Sequence, residues 1–168
     1  NACIRSIVRS VISHNKQAVG VMRGYEGLIH DEFLDLNARS VSNILQRGGT
    51  ILKTARSKTF MTEEGMKMAY ANLCKAGIDG LIVIGGDGTF KGAVEFNKVS
   101  NIPFIGIPGT IDNDLFGTDY TIGFDTALNT IINAVDKIKD TAASHDRLFF
   151  VEVMGRDSGC LALYAGIA

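Results

Sequence analysis

Residues 81–96 read LIVIGGDGTFKGAVEF. A continuous apolar run comes first, and FKGAVEF at the end is spaced as a helix rather than as a strand. Between them, where strand hands over to helix, stand three glycines and one carboxylate. Gly85, Gly86 and Gly88 carry no Cβ, so backbone N–H groups can approach an anion closely, and the helix that follows offers it the positive end of its dipole. Phosphate is the natural ligand of such a turn. Asp87 would repel a phosphate unless a divalent cation sits between them, and Mg²⁺ held by one or two carboxylates plus phosphate oxygens is the familiar arrangement. The competing reading is a hairpin, because Asp-Gly favours a type I′ turn; the helical spacing of FKGAVEF stands against it.

Outward from this stretch, strands and helices alternate. Towards the N-terminus, TEEGMKMAYANLCKAG has Thr62 as a cap, two glutamates in the first turn and Gly77 as a stop. Earlier still, NACIRSIVRSVISHN reads as a helix, AVGVMRG as a short strand, SVSNILQRGG as a helix and TILKTAR as strand then loop. Towards the C-terminus come the strand PFIGI, the loop PGTIDNDLFGTDYTIG, a long helix FDTALNTIINAVDKIKDTA, the strand RLFFVEV, the turn MGRDSG and a final apolar helix. Alternation with nearly continuous apolar strands implies an α/β fold whose parallel sheet is covered on both faces. Ligands of such sheets bind in the loops at the carboxyl ends of the strands.

Composition narrows the function classes. The 168 residues are 46% hydrophobic and 21% charged with a formal net charge of −1, so no global basic field draws nucleic acid or a membrane surface. An anion must be held locally. Cys3, Cys74 and Cys160 lack paired metal-ligand spacing and read as reduced, buried thiols. No apolar stretch approaches the roughly 20 residues of a membrane span, and a soluble cytoplasmic protein is the expectation. The chain opens on Asn inside a helical pattern and stops while still reading as a buried helix, as a piece of a longer polypeptide would.

Three loops, GGDGT, PGTIDND and MGRDSG, each follow an expected strand and so share one sheet edge. In the second, Asp112 and Asp114 point to the same side if the segment is extended. A carboxylate there could accept the proton of an attacking hydroxyl, with Thr110 and Asn113 adding hydrogen bonds; an Asx-turn that caps the next helix explains the same residues. In the third, Arg156 could grip a phosphate or stabilise charge in phosphoryl transfer, although an exposed arginine is usually only a solvated one. Cradle, base and cation together suit phosphoryl transfer, which needs positioning and electrostatics more than covalent chemistry.

At these residues the sequence resembles the bacterial type of ATP-dependent 6-phosphofructokinase, over essentially its whole length. The segments NACIRSIVRS, RGGTILKTAR, VIGGDGT, IGIPGTIDND, GTDYTIGFDTA and SHDRLFFVEVMGR carry the likeness. The resemblance implies a three-layer parallel-sheet phosphofructokinase-like α/β fold, incomplete in this segment. Residues 1–123 would be part of the ATP-binding domain and residues 124–168 the start of the fructose 6-phosphate-binding domain. It further implies Asp112 as general base toward the sugar 1-hydroxyl, with Thr110, Ile111 and Asp114 around it. Gly86, Asp87, Gly88 and Thr89 would hold the ATP phosphates, Asp87 through Mg²⁺, and Arg56 and Ser57 would flank the nucleotide. Met154, Gly155 and Arg156 would contact fructose 6-phosphate, while Arg147 would reach a neighbouring subunit's site in a homotetramer. Pyrophosphate-using relatives tend to carry Asp in place of Gly88 and Lys in place of Gly109, so two small residues favour ATP. The effector site for ADP or phosphoenolpyruvate would use Arg5 and Arg9, with Glu32 and Lys139 standing where arginines are expected; an acid there implies weakened allostery. The glycine turn expected before Asn1 and the second half of the family's chain are absent, so the segment alone should be inactive. A lipid or NAD kinase sharing GGDGT, and a catalytically dead sugar-phosphate-binding paralogue, are the alternatives.

Overall fold

The apolar spacing of ACIRSIVRSVIS forms helix α1 (Ala2–Ser13), which buries Ile4 and Val8. The computed structural model describes residues 1–168, divided between a first unit, Asn1–Asp79 with Glu95–Ile102, and a second, Gly80–Val94 with Pro103–Ala168.

In the first unit the side chain of Asn1 does not cap α1. Its amide donates to the Arg47 carbonyl at 2.8 Å and its carbonyl accepts from the Ile51 N–H at 2.9 Å, tying down the chain at those residues. Strand β1 (Ala18–Val21) pairs antiparallel with β2 (Phe33–Leu36), and α2 (Tyr25–Ile29) lies between them in sequence. Helix α3 (Glu63–Lys75) starts as its sequence predicts: the Thr62 hydroxyl accepts from the Gly65 N–H at 3.1 Å. It stops at Gly77, whose φ of +66° is the left-handed conformation glycine adopts at no steric cost. From α3, the Asn72 amide donates to the Leu28 and Ile29 carbonyls at 2.9 Å, satisfying acceptors at the end of α2. Tyr25 stacks on Phe60 with ring centroids 4.0 Å apart, and Phe60 meets Phe96 at 5.4 Å. Burial in this cluster pushes the Tyr25 hydroxyl up to about 12.

The second unit is organised by β3 (Leu81–Gly85), the greater part of α4 (Asp87–Asn97) and β4 (Phe104–Pro108), a route from strand through helix to parallel strand. Long helix α5 (Ile122–His145) and short α6 (Cys160–Ile167) follow. Phe124, at 1% exposure, anchors the packing of α5 on α6 through an edge-on contact with Tyr164, centroids 5.5 Å apart. One face of the β3–β4 pair is covered, since a Cβ on Gly106 would come within 3.0 Å of the Phe90 ring of α4. The opposite face carries Ile82 and Ile105, partners in the register, 43% and 65% exposed.

Five expectations are corrected. None of the three cysteines is buried: Cys74 is exposed, and Cys3 and Cys160 are half-buried. The SVSNILQRGG segment forms turns rather than a helix. The Asn37 carbonyl accepts from the Arg39 and Ser40 N–H groups, at 2.9 and 3.0 Å, and Asn43 sits at φ +53°; local side-chain bonding of this kind competes with the helix. Val41 and Ile44 are still buried, so the apolar spacing reported burial, not helix. TILKTAR forms no strand, because Lys53 turns left-handed at φ +59° while the Leu52 carbonyl accepts from the Arg23 N–H at 2.7 Å. RLFFVEV is not a strand either. Its residues pair with no neighbour, and Leu148 and Phe150 are 81% and 92% exposed; β propensity becomes a strand only where a partner completes the ladder. Finally, the strands form two separate two-stranded sheets, one of them antiparallel, with one face of the parallel pair open.

Candidate functional site

The parallel register sets Gly85 beside Pro108, so GGDGT and PGTIDND leave the sheet together at one edge. The Gly109 N–H donates back to the Gly85 carbonyl at 2.9 Å, the last bond before the two loops part. Within the first loop, α4 begins at Asp87, and the Gly86 carbonyl accepts from the N–H groups of Thr89 and Phe90 at 3.0 and 3.1 Å. Glycine is required at position 85, where a Cβ would lie 2.3 Å from the Thr89 hydroxyl. At Gly86 a Cβ would come within 3.3 Å of Thr110 on the second loop. Gly88 differs, for a Cβ there meets nothing within 4 Å. A glycine facing open space at a helix start leaves room for an anion to come close.

Asp87 pairs with Lys91 one turn on, 2.7 Å apart, with the two side chains 50% and 76% exposed. Such a surface pair contributes little, so the carboxylate can exchange its partner for a cation. No three His, Cys, Asp or Glu side chains are grouped to hold a metal. A Mg²⁺ ion bound mainly through substrate phosphates asks for only one or two carboxylates, and Asp87 fits that demand.

The second loop is held from several directions. The Asp112 N–H donates to the Thr110 hydroxyl at 3.2 Å. Asn113, at φ +53°, turns the chain and clamps it: its amide donates to the Asp119 carbonyl at 3.2 Å and its carbonyl accepts from the Thr121 N–H at 2.8 Å. The first turn of α5 closes directly on this loop, since a Cβ on Gly123 would lie 2.9 Å from the Thr110 carbonyl oxygen and 2.8 Å from Ile111. Asp112 and Ile111 are half-buried, and Asp114 is exposed.

Although no strand precedes the third loop, it is joined to the second. The Ser158 hydroxyl lies 2.7 Å from the Asp112 carbonyl and 3.0 Å from the Gly155 carbonyl. Gly155 is buried at φ +146° and Arg156 stands left-handed at φ +51°, an uncommon conformation for a residue with a side chain. The side chains of Met154 and Arg156 are exposed. Arg147 follows the left-handed Asp146 that ends α5, donates its N–H to the Ala142 carbonyl at 3.1 Å and is exposed. Cradle, carboxylate and guanidinium thus all belong to the second unit. Neither the Ser158 tie nor the Gly123 contact was foreseen, because small residues give no sequence signal of what they touch.

The remaining expected positions fall elsewhere. Arg56 and Ser57 belong to the first unit; Arg56 is exposed, and the Ser57 hydroxyl accepts from the Phe60 N–H at 3.1 Å. A hydrogen bond from Ser57, with help from His30, holds the Glu26 carboxyl below the usual range. Arg5 donates to the Val41 carbonyl, Arg9 is exposed, and Lys139 lies 3.8 Å from Asp136. Glu32 is not a bare acid, because the Arg23 guanidinium grips it as a fork and holds its carboxyl below the usual range.

The phosphofructokinase family model matches residues 1–168. The chain belongs to the phosphofructokinase family. It is 58% identical, over all its residues, to the ATP-dependent 6-phosphofructokinase 1 of Thermus thermophilus and 59% identical to ATP-dependent 6-phosphofructokinase 2 of Bacteroides thetaiotaomicron. In each case it covers 52% of the relative, so the chain spans about half the length of the curated phosphofructokinases it matches. Among solved structures, phosphofructokinase from Saccharomyces cerevisiae aligns with a TM-score of 0.91 at 40% identity, over 99% of this chain and 26% of that one. A pyrophosphate-dependent phosphofructokinase from Marinobacter aquaeolei aligns with a TM-score of 0.72 at 22% identity, over 90% of this chain and 40% of that one, which speaks to the phosphofructokinase α/β fold alone.

Proposed function

We propose that this chain is part of an ATP-dependent 6-phosphofructokinase, which transfers the terminal phosphoryl group of ATP to the 1-hydroxyl of fructose 6-phosphate. The observation that carries the reading is the β3–β4 register, which releases the glycine cradle and the carboxylate loop at one edge; the descriptions of the half-length relatives support it. In this reading Gly86, Gly88 and Thr89 receive the phosphates at the start of α4. Asp87 holds a Mg²⁺ ion, which when bound neutralises charge on the phosphate oxygens. Asp112 takes the proton of the 1-hydroxyl as it attacks, a role worth roughly 10²- to 10⁴-fold in rate. Arg156, with Met154 and Gly155, orients the sugar phosphate and stabilises transferring charge, Thr110 and Ile111 line the acceptor, and Arg56 and Ser57 flank the nucleotide.

The finer assignments belong to the same proposal: Arg147 serving a neighbouring subunit in a homotetramer, Arg5, Arg9 and Lys139 facing an ADP or phosphoenolpyruvate effector, residues 1–123 and 124–168 as parts of two domains, and a cytoplasmic setting. Because Arg23 already neutralises Glu32, repulsion of an anionic effector by that acid is weaker than the sequence alone implies. No helix is long and apolar enough to cross a membrane.

The test is a coupled assay of fructose 1,6-bisphosphate formation by the complete protein, with ATP and with pyrophosphate as donors, beside an assay of ADP release with NAD or diacylglycerol as alternative acceptors. ATP-dependent turnover of fructose 6-phosphate that falls at least 10²-fold in Asp112→Asn is expected. Turnover with pyrophosphate but not ATP, or phosphorylation of NAD or lipid instead, refutes the reading.

A further inference from the structure

The Asp112 backbone is anchored on both sides, yet only one anchor comes from far along the chain. Its N–H is satisfied two residues away by Thr110. Its carbonyl receives the hydroxyl of Ser158, 46 residues later, at 2.7 Å. The same oxygen of Ser158 lies 3.0 Å from the Gly155 carbonyl and 3.4 Å from the Cys160 N–H. Those two contacts are the local bonds a serine makes in any turn before a helix. The bond to Asp112 is not local, is shorter than either, and links the carboxylate loop to the turn that contains Met154, Gly155 and Arg156. A hydroxyl has one proton, and of its two carbonyl neighbours that of Asp112 is the nearer, at 2.7 Å against 3.0 Å.

We propose that Ser158 is a positioning residue for phosphoryl transfer: its hydroxyl fixes the spacing between Asp112 and the 154–156 turn, and so between the base and the groups that orient the acceptor sugar. This rests on Asp112 and Arg156 having the roles given above. The geometry suits the task. Asn113 and Arg156 flank the joined segments in left-handed conformations, at φ +53° and +51°, that need outside support to persist. Without the tie the two loops are free to separate by a fraction of an ångström to an ångström, and a misplacement of about 1 Å costs on the order of 10²-fold in rate. Binding of ATP at the α4 start involves neither Ser158 nor its partners.

Two measurements test this. In the complete protein, Ser158→Ala is expected to lower kcat about 10- to 100-fold while leaving the KM for ATP within about twofold, and Ser158→Thr, which keeps the hydroxyl, is expected to restore most of kcat. In the same complete protein, hydrogen–deuterium exchange of a peptide spanning 109–114 is expected to quicken in Ser158→Ala, with the middle of α5 unchanged. Unchanged kcat in Ser158→Ala, or equal loss in the alanine and threonine variants, overturns the proposal, as does unchanged exchange at 109–114. A wild-type protein inert toward fructose 6-phosphate brings down the assigned function instead, and the exchange comparison still decides whether Ser158 holds the loop.

Discussion

Replacing Gly88 by Ala separates the fold's needs from the site's. Gly88 is the second residue of α4, its φ is not left-handed, and an added methyl group meets no protein atom within 4 Å. Helix propensity and reduced freedom of the unfolded chain therefore act unopposed and stabilise Gly88→Ala by about 0.5–1 kcal/mol. At about 2–4 °C per kcal/mol for a chain of this size, the melting temperature rises by about 1–4 °C. The same methyl occupies the space assigned to an ATP phosphate. Forcing a methyl into a filled site costs about 1–3 kcal/mol, so the KM for ATP rises about 5- to 150-fold. Thermal unfolding and steady-state kinetics on the same preparation give both signs. A raised melting temperature with an unchanged KM for ATP refutes the phosphate cradle; a lowered melting temperature refutes the open geometry at position 88.

The same substitution at Gly123 has the opposite effect on stability: its methyl would stand 2.9 Å from the Thr110 carbonyl oxygen and 3.1 Å from that of Gly109, so Gly123→Ala is expected to lose about 1–3 kcal/mol and to depress kcat, read by urea unfolding and turnover. Thr62→Ala removes the cap of α3 and is expected to lower stability by about 1 kcal/mol without changing kcat. Toward acid, Glu26, Glu32 and Glu63 titrate below their usual range because of Ser57 and His30, of Arg23, and of Lys67 respectively. Their stabilisation is present above the unfolded carboxylate range, about 4.3, and is lost as pH falls through the folded values; urea midpoints should drop there, less steeply in Glu32→Gln. Toward alkali, Tyr25 raised to about 12 implies stability that falls as pH climbs from the ordinary tyrosine value near 10, followed by tyrosinate absorbance.

The sequence carried the β3–α4–β4 unit and α3 in full because their signals are local: an apolar run, a glycine turn, a threonine cap and a glycine stop. It misled at SVSNILQRGG, where the Asn37 side chain spends itself on the backbone of the following turn, and at RLFFVEV, where strand propensity found no partner. Strand β2 went unread because Asp35 interrupts a four-residue run. For the site, the residues with chemistry were visible as types, whereas Ser158 and Gly123 act through what lies across the fold from them, a fact held in tertiary contact and in no stretch of sequence.

Arg156 at φ +51° has a consequence for selection. A left-handed residue with a Cβ costs about 1–2 kcal/mol relative to glycine. Glycine at this codon would therefore survive a screen for heat resistance, and, with the role proposed for the Arg156 side chain, be purged by a screen for turnover. Libraries of the complete protein passed through the two screens should diverge at position 156, and that divergence reports a conformation kept for chemistry in the face of the chain's own preference.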